Sequence, residues 1–169
     1  MSLLTSLGLS PALPSTIIPN YGPTTLIFHF LFAYGVLSSR TLKQIYGLDH
    51  NGSPREDLTK YGEAAVTSGK ITRAQLNMLR RNESAHANAV ENYALLVAAV
   101  GMASLAGVSN VVINRACLTY TIARVVYGAV YILVESDTWS QARGICWWVG
   151  NLSCLTLLWK AGGLLGVVA

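Results

Sequence analysis

The sequence predicts an all-α integral membrane protein folded as a four-helix bundle. Three observations carry that expectation. Apolar residues make up 52% of the 169-residue chain and charged residues only 12%, about half the ~25% of soluble domains. Four apolar stretches recur, each near the ~20 residues that cross a ~30 Å hydrocarbon core. Segments such as VVINRACLTYTIARVVYGAVYILV lack the broad polar face of a soluble bundle helix. The length suits one domain over residues 1–169.

The first helix is expected over about residues 20–43, PTTLIFHFLFAYGVLSSRTL at its heart. The MSLLTSLGLSPALPS stretch before it has no basic n-region and is broken by Pro11 and Pro14, so it reads as a tail rather than a cleaved signal. The only long connection follows. Its GLDHNGSPREDLTKYGE sequence carries Asn-Gly, Gly and Pro turn signals, lacks the spacing of a calcium loop, and reads as a solvated connection. A second helix is expected over 71–107, a third over 111–135 and a fourth over 141–163.

Charge placement gives the orientation. Of 12 Lys and Arg, eight lie between Arg40 and Arg81; the others are Arg115, Arg124, Arg143 and Lys160. Basic short loops stay cytosolic, which puts the first loop and the Asp137–Arg143 turn in the cytosol and both termini opposite. The sequons at Asn51 and Asn82 then face the cytosol and that at Asn151 lies in the membrane, so none is expected to carry glycan. No basic stripe interleaves with exposed aromatics, which argues against nucleic acid as a partner. Cys117, Cys146 and Cys154 show neither a disulfide framework nor metal spacing.

The second and third helices carry polar stripes. At about 100° per residue, Arg81, Ser84, Asn88, Glu91 and Leu95 share one side, and His86 faces elsewhere. An ionised Glu facing lipid costs at least ~2.5–3.5 kcal/mol, so Glu91 should face other helices or a polar cavity. Tyr120, Arg124, Tyr127, Tyr131 and Glu135 share a face within about 60°. They suggest a lined cleft; for Arg124 itself, a structural pairing with Glu91 inside the bundle has at least as good a claim as direct ligand contact. Arg143 opens the fourth helix, either as a cytosolic anchor or to meet an anion. Arg40 and Lys43 could join it at the cytosolic mouth.

The pattern Arg81-x4-His86-x-Asn88-x2-Glu91-Asn92 opening the second helix resembles the signature of the membrane-associated proteins in eicosanoid and glutathione metabolism. Arg124-Tyr127-Tyr131, Arg143-Gly144 and the basic first loop support the resemblance, which spans about Tyr21 to Lys160. It implies a homotrimer in an internal membrane, such as the endoplasmic reticulum of a eukaryote. It also implies glutathione sites between subunits that open to the cytosol, and a lipophilic electrophile as the second substrate. Carried over by position, Arg40, Arg81, Asn88, Glu91 and Tyr131 would bind glutathione, and Arg143, Tyr131 and Tyr127 would serve catalysis. Arg143 matches the arginine proposed to stabilise the thiolate. The chain departs from the pattern at Ser84 and Ala87, where glutathione-using members often carry arginine. It also departs at Tyr127, a histidine in some synthases, and at Gly144, a serine in several members. It resembles the bacterial and fungal branch more than the eicosanoid synthases. Two other functions stay open: an isomerase or cyclase that works without glutathione, and a non-enzymatic lipid-binding scaffold.

Overall fold

The computed structural model describes residues 3–10 and 17–168, and among them every regular element is helical. The elements are α1 (Leu3–Ser6), α2 (Gly22–Leu31), a π-helical turn (Phe32–Val36), α3 (Ser39–Ile45), a second π turn (Asp57–Tyr61), α4 (Gly62–Thr67), α5 (Arg73–Leu105), α6 (Asn110–Leu133), α7 (Asp137–Ser140) and α8 (Ala142–Val168). Among the described residues, three segments are long and apolar enough to cross a membrane: Gly22–Ile45, Arg73–Leu105 and Asn110–Leu133.

Local sequence explains where the long helices begin and end. Thr72 and Gln75 close a capping box on α5. The Thr72 hydroxyl accepts from the Gln75 N–H at 3.2 Å, and the Thr72 N–H donates to the Gln75 side chain at 2.7 Å. Such a cap is worth ~1 kcal/mol. At the other end Gly107 adopts φ +75°, which lets its N–H reach Ser104 and the Val108 N–H reach Ala103. That pair of bonds is a Schellman motif, and it folds the chain into α6 with Val108 buried.

α5, α6 and α8 enclose the main core. Leu96, Ala99, Val100, Ala103, Ile113, Cys117, Cys154, Leu157 and Ala161 are buried there. Small residues dominate on α5, so the helix backbones approach closely, as membrane helix pairs require. The first helix is not continuous. Its π turn closes with the Leu37 N–H on the Phe32 carbonyl, and Ser38 leaves the helical region at φ −48°, ψ 121°. Carbonyls freed at such a widened turn need other donors. Asn82 donates to Leu37 at 3.2 Å, and His86 Nδ1 lies 3.0 Å from the Ala33 carbonyl. Because a carbonyl only accepts, His86 carries its proton on Nδ1.

The long connection departs from the expected solvated loop. Leu48, Leu58, Ala65 and Ile71 pack with Leu76 and Leu79 of α5 into a second core. At its centre Lys43 and Asp57 are both buried. Lys43 Nζ lies 3.2 Å from Asp57 Oδ2 and 3.5 Å from Glu83, and also donates to the Pro54 carbonyl. The other Asp57 oxygen accepts from the backbone N–H and ring of His50, which stacks on Tyr61 at 4.1 Å. Lys43 is thus committed to holding the connection and is not a cation at a cleft mouth. Turn residues gave the connection a solvated look. Its buried ion pair spans fourteen positions, which no local pattern announces.

Candidate functional site

A polar column runs between α5, α6 and the start of α8. Its deepest member is Tyr120, 2% exposed, whose hydroxyl approaches Asn92 Oδ1 at 3.3 Å. One turn further along α6, the buried Arg124 donates through Nη2 to Asn88 Oδ1 at 2.8 Å and to the Asn88 carbonyl at 3.2 Å. Gly150 of α8 makes room for it: a Cβ there would stand 3.4 Å from Arg124 Cδ and 3.6 Å from the Tyr120 ring. The expected alternative of an Arg124–Glu91 pair is not formed. Asn88 lies one turn before Glu91 on α5 and takes the guanidinium, while Arg124 Nη1 stays buried without a hydrogen-bond partner among the described residues.

The column continues as a stack of cations and rings. The Arg124 guanidinium lies 4.5 Å from the Tyr127 ring centre. Tyr127 meets Tyr131 edge-on at 5.5 Å. The Arg143 guanidinium lies 4.4 Å over Tyr131. Each cation–π contact contributes ~0.5–2 kcal/mol. The order Arg124–Tyr127–Tyr131–Arg143 therefore follows from positions i, i+3 and i+7 on α6, closed by the first turn of α8. Arg143 Nε also donates to the Ser140 carbonyl at 3.1 Å, which fixes its stem, while its Nη groups make no hydrogen bond among the described residues.

The remaining expected residues divide. Glu91 is exposed on α5 and makes no hydrogen bond or ion pair among the described residues. Ser84 and Ala87 are exposed on the same helix. Arg81 does not point a free fork outward: its Nε donates to the Ile132 carbonyl at 3.0 Å and its Nη2 to Glu135 at 2.9 Å. Glu135 itself falls outside the tyrosine stripe. α6 ends at Leu133, and Val134 is extended at φ −94°, ψ 123°, so the helical spacing no longer applies at Glu135. Arg40 is not brought to the column. Its Nε and Nη2 are spent on Asp49, at 3.0 and 2.6 Å, and on Asn51 at 2.6 Å. The bond from Arg40 holds the Asp49 carboxyl below its usual range.

Sequence spacing missed Asn92 and Gly150 as parts of the column. Asn92 was visible as an amide in an apolar helix, whereas Gly150 gives no signal of its own. A family model described as the MAPEG family matches residues 23–163. No curated protein and no solved structure matches the chain. The family match covers most of the chain, including every residue of the column, and the chain belongs to the MAPEG family.

Proposed function

We propose, from membership of that family, that the chain is a glutathione-dependent transferase, isomerase or peroxidase acting on a lipophilic electrophile in the membrane. Family membership supports membrane glutathione chemistry in general. The observation that carries the narrower reading is the Arg124–Tyr127–Tyr131–Arg143 stack, with Arg143 held at its outer end. In this reading the chain forms one four-helix membrane domain over residues 1–169. Three copies assemble in an internal membrane with the basic first loop in the cytosol.

The donor set fits a small peptide thiol that carries two carboxylates and an ammonium. Glutathione, when bound, supplies the nucleophilic sulfur. Arg143 meets that sulfur, and a nearby cation raises the thiolate fraction at neutral pH. Tyr131 is held under Arg143 and presents its hydroxyl to the same region, with Tyr127 behind it. Glu91 accepts from the ammonium, and its exposure in one protomer suits a contact at the boundary with a second copy. Asn88 positions Arg124 and adds its remaining amide hydrogens. Arg81 forks onto a carboxylate once Glu135 yields it. Arg40 would join only by giving up Asp49. The lipophilic substrate approaches from the bilayer side of the same cleft.

The test is a conjugation assay on purified protein with a panel of epoxides, enones and hydroperoxides. Activity should require glutathione, and Arg143→Gln should lower kcat/KM about 10- to 100-fold. It should also raise the pH at which thiolate absorbance appears. Unchanged thiolate absorbance in Arg143→Gln would remove Arg143 from that role.

A second reading rests on the exposed, uncharged Ser84 and Ala87 and on the tied Arg81. These leave fewer free cations for carboxylates, as suits an isomerase or cyclase that uses Tyr127, Tyr131 and Glu91 or Glu135 for acid–base chemistry. Turnover that persists without glutathione but falls in Tyr131→Phe would favour it.

A further inference from the structure

The opposite end of the molecule holds a second, unrelated site. A cavity of about 350 Å³ lies between the N-terminal segment, α2 and α6, lined by Leu7, Leu9, Thr25, Cys117, Leu118 and Thr121. That volume is in the range of small-molecule pockets. Its outer wall is stapled on by α6. Asn114 donates to the Gly8 and Pro19 carbonyls at 3.1 and 2.9 Å, and Asn110 donates to Ile18 at 2.7 Å. Arg115 Nε donates to the Leu9 carbonyl at 2.5 Å.

Arg115 is exposed, and its two Nη groups make no hydrogen bond or ion pair among the described residues. Its Nε is bonded to Leu9, a residue of the cavity wall, so the guanidinium stands beside that wall. It lies five residues into α6, roughly 8 Å from the helix start. In a helix long enough to cross a ~30 Å hydrocarbon core, a position so near the end falls toward the headgroup side. Every Asp and Glu of the chain lies at residues 49–91 or 135–137, toward the other end of the helices or, for Glu91, midway along α5. Among the described residues no Asp or Glu side chain pairs with Arg115. A guanidinium near the end of a membrane helix reaches the interface, where lipid phosphates can partner it.

We propose that this is a binding site for an anionic phospholipid, with one acyl chain in the Leu7–Leu9–Leu118 cavity and the phosphate on the Arg115 fork. The guanidinium matches a phosphate with two parallel donors, and the bilayer supplies that group at that depth. Tyr131 is sixteen residues further along α6, about 24 Å away, so the site is separate from the polar column and independent of the glutathione reading.

The experiment is native mass spectrometry of the full chain released from nanodiscs of equal phosphatidylglycerol and phosphatidylcholine. The wild type should retain phosphatidylglycerol preferentially. Arg115→Gln should lose about tenfold of that preference, and Arg115→Lys should keep most of it, which separates the charge from the Leu9 tether. Leu118→Trp, which fills the cavity, should lower retention of both lipids. Lys160→Gln removes a cation from the same end and should change nothing. Equal loss in Lys160→Gln and Arg115→Gln, retention unaltered by Arg115→Gln, or preferential retention of added oleate would each overturn the assignment. So would self-association of the chain that Leu118→Trp abolishes without any lipid preference.

Discussion

Arg143 lies 4.4 Å over the ring of Tyr131, so the first turn of α8 is fastened to the last turn of α6 by a cation whose Nε is tied to Ser140. The contact needs the ring and not the hydroxyl, which lets the two roles of Tyr131 be separated. Tyr131→Phe should leave thermal stability within about 0.5 kcal/mol while lowering glutathione-dependent kcat. Tyr131→Ala should lower both. Melting curves and steady-state rates on the same preparations check this.

Glu135 holds the Arg81 fork at 2.9 Å, on an exposed carboxylate. A ligand carboxylate that uses Arg81 must displace it. Exposed ion pairs contribute ~0.2–1 kcal/mol, so Glu135→Gln should lower the glutathione KM roughly two- to fivefold with kcat unchanged. An unchanged KM would mean that Arg81 serves only to tie α5 to the end of α6.

The Lys43–Asp57 pair is buried. Removing one partner strands the other charge, at about 3–5 kcal/mol. Asp57→Asn should therefore destabilise the protein strongly. Lys43→Met with Asp57→Leu should recover much of the loss, because no charge is then stranded. Urea unfolding followed by Trp fluorescence measures both.

Arg73 and then Arg80 hydrogen-bond Glu63 and hold its carboxyl below the usual range. A carboxyl depressed in the folded state stabilises above its unfolded value, about 4.3. That contribution is lost as pH falls through the lower folded value. Glu63 is exposed, so the effect is small. Glu63→Gln should melt slightly below wild type at pH 7, and the two curves should converge under strongly acidic conditions. A gap that widens on acidification would contradict the assignment.

The apolar helices and the α6 stripe were legible because helical spacing is set by the backbone. Tyr120, Arg124, Tyr127 and Tyr131 had to share a face once α6 formed. Arg124 was placed correctly, but its partner was not. Choosing Asn88 over Glu91 depends on the rotation of α5 against α6, and small buried residues such as Ala89, Ala99 and Ala103 set that packing. Glu135 misled because a helix end two residues early moves a side chain off the stripe. Arg40 and Lys43 misled because their carboxylate partners lie in the connection, at Asp49 and Asp57, where no periodicity links them. The roles of His86 and Asn82 followed from the π turn in the first helix, which the sequence around Gly35 does not announce.

Glutathione binding at the column is the central claim, and calorimetric titration of the purified full chain tests it most directly. Saturable binding at or below millimolar glutathione is expected. Arg143→Gln and Glu91→Gln should each weaken it about tenfold, with Lys160→Gln unchanged. No saturable heat at millimolar glutathione, from protein that melts cooperatively, would contradict the account.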